Sequence, residues 1–429
     1  YVAITGDIIK LDDAYSIPDS EEYSFNKSYD ENTGYRTKSM LTVPMKNHKD
    51  KIIGVIQLIN KKKDKSIVLS GHDIVEDSVI PFDHTDEEIV LSLSSLAAVS
   101  LDNNQLYHEI EDLFECLVMA SAKAIEQRDP ATSGHSSRVA KYTVMLAEAV
   151  SADKGFFKDI TFTADHLKGL RYACLLHDFG KVGVRENVLV KAKKLYPGML
   201  EQILLRFDNI RNNIKIKYLE AKLALDTSDP GYNAKLEELI LNENIETVKI
   251  EKYRDTVIAA NEPAVLDSDP GKILSEIKKE KNNAFLSKTE YEYLSVKRGS
   301  LTQKEREEIM SHAKHTYDFL KNIPWPENMA WIPEIAKGHH ESLDGSGYPD
   351  GIKGDSIPFE SRLMAVSDVF DALTASDRPY KRSVPVEKAV AIIRDEAASG
   401  KLDREVVKLF IESGIYKAAS SFLGSDSLS

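Results

Sequence analysis

Apolar positions in the first hundred residues fall in short β-branched runs. Thr37–Val43 and Lys51–Asn60 read as strands, with Gly34 and the Asn47–Asp50 stretch as turns. From Asp86 onward the period lengthens. Ile89, Ser92, Leu96, Val99, Asn103, Leu106, Ile110, Leu113, Leu117, Ala120 and Ala124 step by three and four, which predicts one long helix with an apolar seam. A 3.5-residue spacing held over five heptads suits a two-stranded pairing with a second copy, with Asn103 as the polar residue that fixes register. A long helix packed on its own domain is the other reading. Beyond Pro130 the pattern is helical almost throughout. Residues 201–300 are charged and amphipathic, broken at Asp229-Pro230-Gly231 and Asp269-Pro270-Gly271. They hold no histidine or cysteine and read as a helical insertion in the second domain, either capping a site or extending a dimer.

Composition narrows the class. The 429 residues carry 42% apolar and 29% charged side chains, enough for real cores and a length of two or three domains. A net charge of −13, spread along the chain, argues against a broad surface for DNA or RNA and against an anionic membrane. Two cysteines, Cys116 and Cys174, are too few for a disulfide scaffold and point to a reducing, cytoplasmic setting. The longest apolar run, Ile52–Ile59, is far too short for a membrane span. The chain starts at Tyr1 without a methionine, inside what reads as a domain, so a fragment of a longer protein is expected.

The candidate chemistry lies in the histidines, which number eleven and leave the stretch between Arg185 and Ser311 empty. The sharpest signal is His177-Asp178-Phe179-Gly180-Lys181, at the end of an apolar helix. Alone, His-Asp is a weak signal. Here His135 opens a helix (HSSRVAKYTVMLAEAV), His312 lies on another (EREEIMSHAKHTYDFL), and His339-His340-Glu341 ends a third. Asp368 and Asp371 follow one turn apart. Five histidines with two or three aspartates from separate helices match a dinuclear site with mixed nitrogen and oxygen ligands, suited to iron, manganese or zinc. His108, His166 and His315 read as ordinary imidazoles, although His315 stands close in phase to His312.

The order His…His-Asp-x-x-Lys…His…His-His-Glu-x-x-Asp-Gly-x-Gly-Tyr-Pro…Asp resembles the HD-GYP domain of the HD phosphohydrolase superfamily. The resemblance covers about 115–200 and 300–415; His339–Pro349 fits at every defined position, and Ser376–Lys381 fits the segment after the last aspartate. It implies a phosphodiesterase that hydrolyses cyclic di-GMP to the linear dinucleotide and GMP at a metal centre, most often iron or manganese. Carried over, it places one ion on His135, His177, Asp178 and Asp368. A second falls to His312, His339 and His340, with Asp178 bridging. A third ion needs a glutamate where Ala131 stands, so two ions are expected. Asp178, Lys181 and Asp371 are the catalytic candidates: Lys181 for a phosphate or leaving oxygen, Asp371 to orient the water or a ligand histidine. Arg378 and Lys381 are expected on the second phosphate or a base, and Gly345 and Gly347 in a tight loop near the ligand. Tyr348 closes that loop or stacks on a base. Glu341 and Asp344 are expected behind the ligands, with Glu341 receiving a histidine hydrogen bond or docking a partner.

Residues 1–100 resemble the later part of a GAF sensor domain, through Ile17-Pro18-Asp19, the Tyr29–Thr37 segment, and the Asn60-Lys61…Phe82-x-x-x-Asp86-Glu87 signature. That signature belongs to the cyclic-nucleotide phosphodiesterase type of GAF, which implies a small-molecule ligand; a dimerisation domain without ligand is the alternative. The expected architecture is therefore multidomain: an α+β GAF domain with an antiparallel sheet over 1–100, a connecting helix over 101–125, and an all-α HD-GYP domain over 126–429. The expected function is a homodimeric signalling phosphodiesterase. A 3′,3′-cyclic GMP-AMP hydrolase and a non-catalytic cyclic-dinucleotide receptor are the alternatives.

Overall fold

The computed structural model describes residues 1–129, 133–263, 268–280, 285–375 and 383–418. Two compact units divide the chain, Tyr1–Cys116 and Leu117–Ser429.

The first unit holds an antiparallel sheet in the order β1 (Ile9–Leu11), β2 (Met40–Lys46), β3 (Ile52–Ile59). Leu41 stands opposite Leu58 and Val43 opposite Ile56. Leu41 and Val43 are fully buried and share a core with Phe82 and Val90. β2 starts three residues later than the sequence pattern predicts. The Thr37 N–H donates to Asp30 Oδ2 at 2.7 Å and the Lys38 N–H to Asn60 Oδ1 at 2.7 Å, so both donors are spent on side chains before the ladder starts. β1, only three residues long, leaves no alternation to read. A second antiparallel pair joins β4 (Lys61–Lys62) and β5 (Val79–Ile80).

Several GAF signature residues bond to neighbouring elements. Asn60 takes φ +57 and donates to Arg36 O at 2.8 Å. Lys61 reaches Asp83 at 2.8 Å and also pairs with Asp86, tying the strand to the outgoing helix. Glu87 pairs with Lys10 at 3.2 Å.

The long helix α1 (His84–Arg128) buries Val90, Ser94 and Ala98 near its start and Val118, Ala122 and Ile125 near its end. All eleven seam positions from Ile89 to Ala124 lie off that stripe and are exposed. Packing and seam thus use different faces of one helix.

The second unit is helical. It contains α2 (His135–Ala152), α3 (Ala164–Leu176), the insertion helices α4 (Met199–Leu223) and α5 (Tyr232–Ala260), then α6 (Gln303–Met310), α7 (His312–Leu320), α8 (Ile332–Lys337) and α9 (Phe359–Thr374). Tyr142 and Phe370 meet edge to face with ring centroids 5.5 Å apart, and Phe410 lies 5.1 Å from Phe370. The insertion has a core of its own, with Ile203, Phe207, Tyr253, Val257 and Leu274 buried together. The break expected at Asp269-Pro270-Gly271 instead falls in the first turn of helix Ser268–Lys279. There a proline's missing N–H leaves no hydrogen bond unmade. The single helix expected around His312 is two, α6 and α7, parted at Ser311, so that His312 heads α7. Among the described residues no helix is long and apolar enough to cross a membrane.

Candidate metal centre

His177 caps the end of α3, and Asp178 leads into a 3₁₀ turn, Phe179–Gly183, that lies against α7. A Cβ on Gly180 would stand 1.9 Å from His312 O and 2.4 Å from Thr316 N, so only glycine permits this approach. The Thr316 hydroxyl joins the two elements: it donates to His177 O and accepts from Gly180 N–H, each at 2.8 Å. His135 opens α2 after Gly134, whose φ is +65. Glu126 meets that helix start, accepting from Gly134 N–H and Ser136 N–H at 2.9 Å each. His339 and His340 sit on a 3₁₀ turn following α8, and Asp368 and Asp371 on α9.

These elements bring seven predicted ligands together. His312, His339 and His340 offer nitrogens within 4.8 Å of one another; so do His135, His177 and Asp368, and so do His177, Asp178 and His339. Asp178 lies among both histidine sets, with Oδ1 3.3 Å from His312 Nε2 and Oδ2 3.5 Å from His177 Nε2. His135 Nε2 stands 3.1 Å from Asp368 Oδ1.

Backbone carbonyls set the tautomers. The Nδ1 atoms of His177, His312 and His339 each lie 2.6 Å from the carbonyl three residues earlier, those of Cys174, Ile309 and Ala336. A carbonyl only accepts, so each Nδ1 carries the proton and each Nε2 presents a lone pair. The Nε2 atoms of His312 and His339 are buried and have no hydrogen-bond partner among the described residues. Bare buried acceptors beside carboxylates, with no thiolate among them, are the donor set of a divalent-metal centre.

Electrostatics agree at three of the imidazoles. Burial pushes His340 down to about 3 and His339 well below its ordinary range, and it lowers His312 against the pull of Asp178. These three imidazoles stay neutral. Burial works against charge on Asp178, yet Lys181 and the histidines hold its carboxyl far below the usual range. Burial likewise opposes charge on His135, but Asp368 and Asp371 raise it to about 10. Burial also opposes charge on Lys181, and Asp178 and Asp129 outweigh it, raising the ammonium above its usual value.

Behind the predicted ligands stands Asp371. Its Oδ2 accepts from His135 Nδ1 at 2.8 Å, while Arg138 Nε donates to Oδ1 at 2.7 Å. Lys181 Nζ stands 2.9 Å from Asp178 and 3.1 Å from Asp129. Glu341 is a correction: among the described residues it takes no hydrogen bond from a predicted ligand histidine, and it does not lie on an outer surface. It is buried and gathers the backbone N–H groups of Asp350, Gly351 and Ile352 at 2.8, 3.2 and 3.1 Å, which fixes the loop after Pro349. Asp344 is a second one, since it bonds Ser346 N–H at 2.8 Å and its hydroxyl at 2.6 Å rather than a ligand. Acidic side chains beside a glycine-rich loop close that loop's own donors first.

Gly345 takes φ +81, and a Cβ on Gly347 would be 2.3 Å from Ser342 N, so both serve the loop's own turns. Tyr348 lays its ring on His340, centroids 4.6 Å apart. His315 is outside the cluster, against Gly183; His166 pairs with Glu360 at 2.9 Å, and His108 is exposed. Ala131, Arg378 and Lys381 lie outside the described residues. Sequence reasoning missed Thr316, Arg138, Glu126 and Asp129. Arg138 and Thr316 were reachable, standing three and four residues after ligand histidines on the same helical faces.

Residues 1–101 match the GAF domain and residues 289–406 the HD domain, so the chain carries both. The HD match holds His312, His339, His340 and Asp368; His135, His177 and Asp178 lie upstream, across the insertion. Over 302 residues the chain is 24% identical to the 3′3′-cGAMP-specific phosphodiesterase 3 of Vibrio cholerae, covering 70% of this chain and 40% of that protein. Over 307 residues it is 28% identical to a probable cyclic di-GMP phosphodiesterase of the same species, covering 71% and 45%. A cyclic di-GMP phosphodiesterase of Thermotoga maritima is 42% identical over 118 residues, 27% of this chain and 31% of that protein. The chain therefore spans less than half the length of these relatives.

Proposed function

We propose that this chain is the sensory and catalytic part of a metal-dependent phosphodiesterase that opens cyclic di-GMP to linear pGpG, GMP or both. The observation that carries the reading is the pair of histidine sets flanking one buried carboxylate, with two bare Nε2 acceptors aimed among them. Two divalent ions, iron or manganese, fit these donors: one on His135, His177, Asp178 and Asp368, the other on His312, His339 and His340, with Asp178 shared. When bound, they supply a hydroxide at neutral pH and neutralise charge building on the phosphate. The protein's own share is placement. Asp371 and Arg138 hold His135 in one orientation, carbonyls fix three more imidazoles, and Lys181 offers an ammonium to a phosphate or leaving oxygen. The Tyr348 ring covers one side of His340 and limits water there.

Domain roles follow. The GAF domain over 1–100 is the sensor, and the side of its sheet bearing Met40, Thr42 and Gln57 lines a cavity of about 350 Å³ sized for a small molecule. The helix over 101–125 carries the signal within a homodimer paired along the exposed seam, and 126–429 is the catalytic domain with the insertion at about 201–300. A relative named as cGAMP-specific favours 3′,3′-cyclic GMP-AMP as the second reading of the substrate.

Product analysis decides. Anaerobic protein loaded with Fe(II) or Mn(II) is given each dinucleotide, and linear products are separated by chromatography. Hydrolysis of cyclic di-GMP, abolished by His177→Ala and Asp178→Ala, supports the proposal. Turnover of cyclic GMP-AMP alone moves the substrate to the second reading. No turnover of either with both ions bound leaves a receptor.

A further inference from the structure

The end of α1 is fastened to two elements that carry predicted ligands, the start of α2 and the turn after Asp178. Glu126 meets the start of α2, which bears His135. Arg128 donates to Val182 O at 2.7 Å and Val184 O at 3.2 Å, the backbone just after Lys181. Asp129, the next residue, takes Lys181 Nζ at 3.1 Å. Lys181 and Asp129 leave only 13% and 14% of their side chains exposed.

We propose that Asp129 is a positioning residue: its carboxylate holds the Lys181 ammonium beside Asp178, so that the end of α1 sets where that cation stands. This rests on the reading of Lys181 as the cation facing the scissile phosphate. A lysine stem is flexible, and one contact leaves the ammonium free to swing away. Asp178 cannot supply the second hold on its own, because a carboxylate shared by divalent ions has its charge met and attracts an ammonium weakly. Asp129 belongs to none of the ligand sets found among the described residues, so its carboxylate is not drawn into them.

The test uses the full Mn(II)-loaded chain and four variants: Asp129→Asn, Asp129→Glu, Lys181→Ala and the double Asp129→Asn/Lys181→Ala. Loss of a charge-assisted hold on Lys181 is expected to lower kcat about 10- to 100-fold in Asp129→Asn, with KM little changed and Asp129→Glu recovering part. In the Lys181→Ala background Asp129→Asn is expected to add nothing. An equal fall in both backgrounds overturns the proposal, as does a loss of bound Mn(II) in Asp129→Asn, which would make Asp129 a support of the ions. A second readout needs no turnover. Acetylation of Lys181 at fixed pH, followed by peptide mass spectrometry against Lys158, is expected to quicken at least threefold in Asp129→Asn. An unchanged rate overturns the positioning role even if no cyclic dinucleotide is hydrolysed, whereas an inactive wild type with quickened labelling sinks only the functional reading.

Discussion

Replacing Thr316 with valine tests how the His-Asp turn is held. Thr316 is fully buried, and its hydroxyl serves His177 O and Gly180 N–H at 2.8 Å each, one on either side of Asp178. Valine keeps the shape and removes both bonds. A buried donor or acceptor left unmet costs roughly 1–3 kcal/mol, so Thr316→Val should destabilise the helical unit by roughly 2–6 kcal/mol. Thr316→Ser keeps the hydroxyl and loses one methyl, at about 1 kcal/mol. Urea unfolding followed by helical circular dichroism reads the difference, and Mn(II) titration reads the site. The valine variant should unfold at clearly lower urea and bind metal more weakly than the serine variant. Equal midpoints for the two would refute the claim that this hydroxyl fastens the turn to α7.

Asp371→Asn loosens His135 and should weaken metal binding about 10- to 100-fold by calorimetry; unchanged affinity would deny its orienting role. The same carboxylate is held below its ordinary range by His135 and Arg138, against burial. Its stabilisation is therefore present above about pH 4 and lost as acid protonates it, so the asparagine variant should lose less stability than wild type on acidification below that point. Glu341→Gln sets an amide NH₂ against a loop of three backbone donors and should cost roughly 1.5–3 kcal/mol in urea unfolding. Burial pushes the Cys174 thiol up to about 12, whereas Cys116 is exposed. A disulfide reagent at pH 8 should titrate one thiol in the native chain and two in denaturant.

The convergence of the predicted ligands was legible because each histidine travels with neighbours that mark its element: a helix start at His135, a helix end at His177, a glycine-rich loop after His340. The long helix was legible for the same reason, since a 3.5-residue period survives over five heptads whatever packs on it. Which acids stand behind the ligands was not. Glu341 and Asp344 sit beside the histidines in sequence but turn to their own loop, while Asp129 and Arg138 reach Lys181 and Asp371 only once the helices are packed. The strand shift at Thr37 has the same origin, because the N–H groups of Thr37 and Lys38 are claimed by Asp30 and Asn60. Local pattern records the period of an element, and long-range hydrogen bonds decide its ends.

The central claim, that the two histidine sets around Asp178 form one hydrolytic centre, is tested most directly by metering metal into stripped protein. Initial rates of cyclic di-GMP opening are measured as Mn(II) is added in known equivalents. A centre of two ions gives little rate through the first equivalent, a rise to full activity at the second, and none at any level in Asp178→Ala. Full activity at one equivalent, or turnover that persists in chelator, would contradict it.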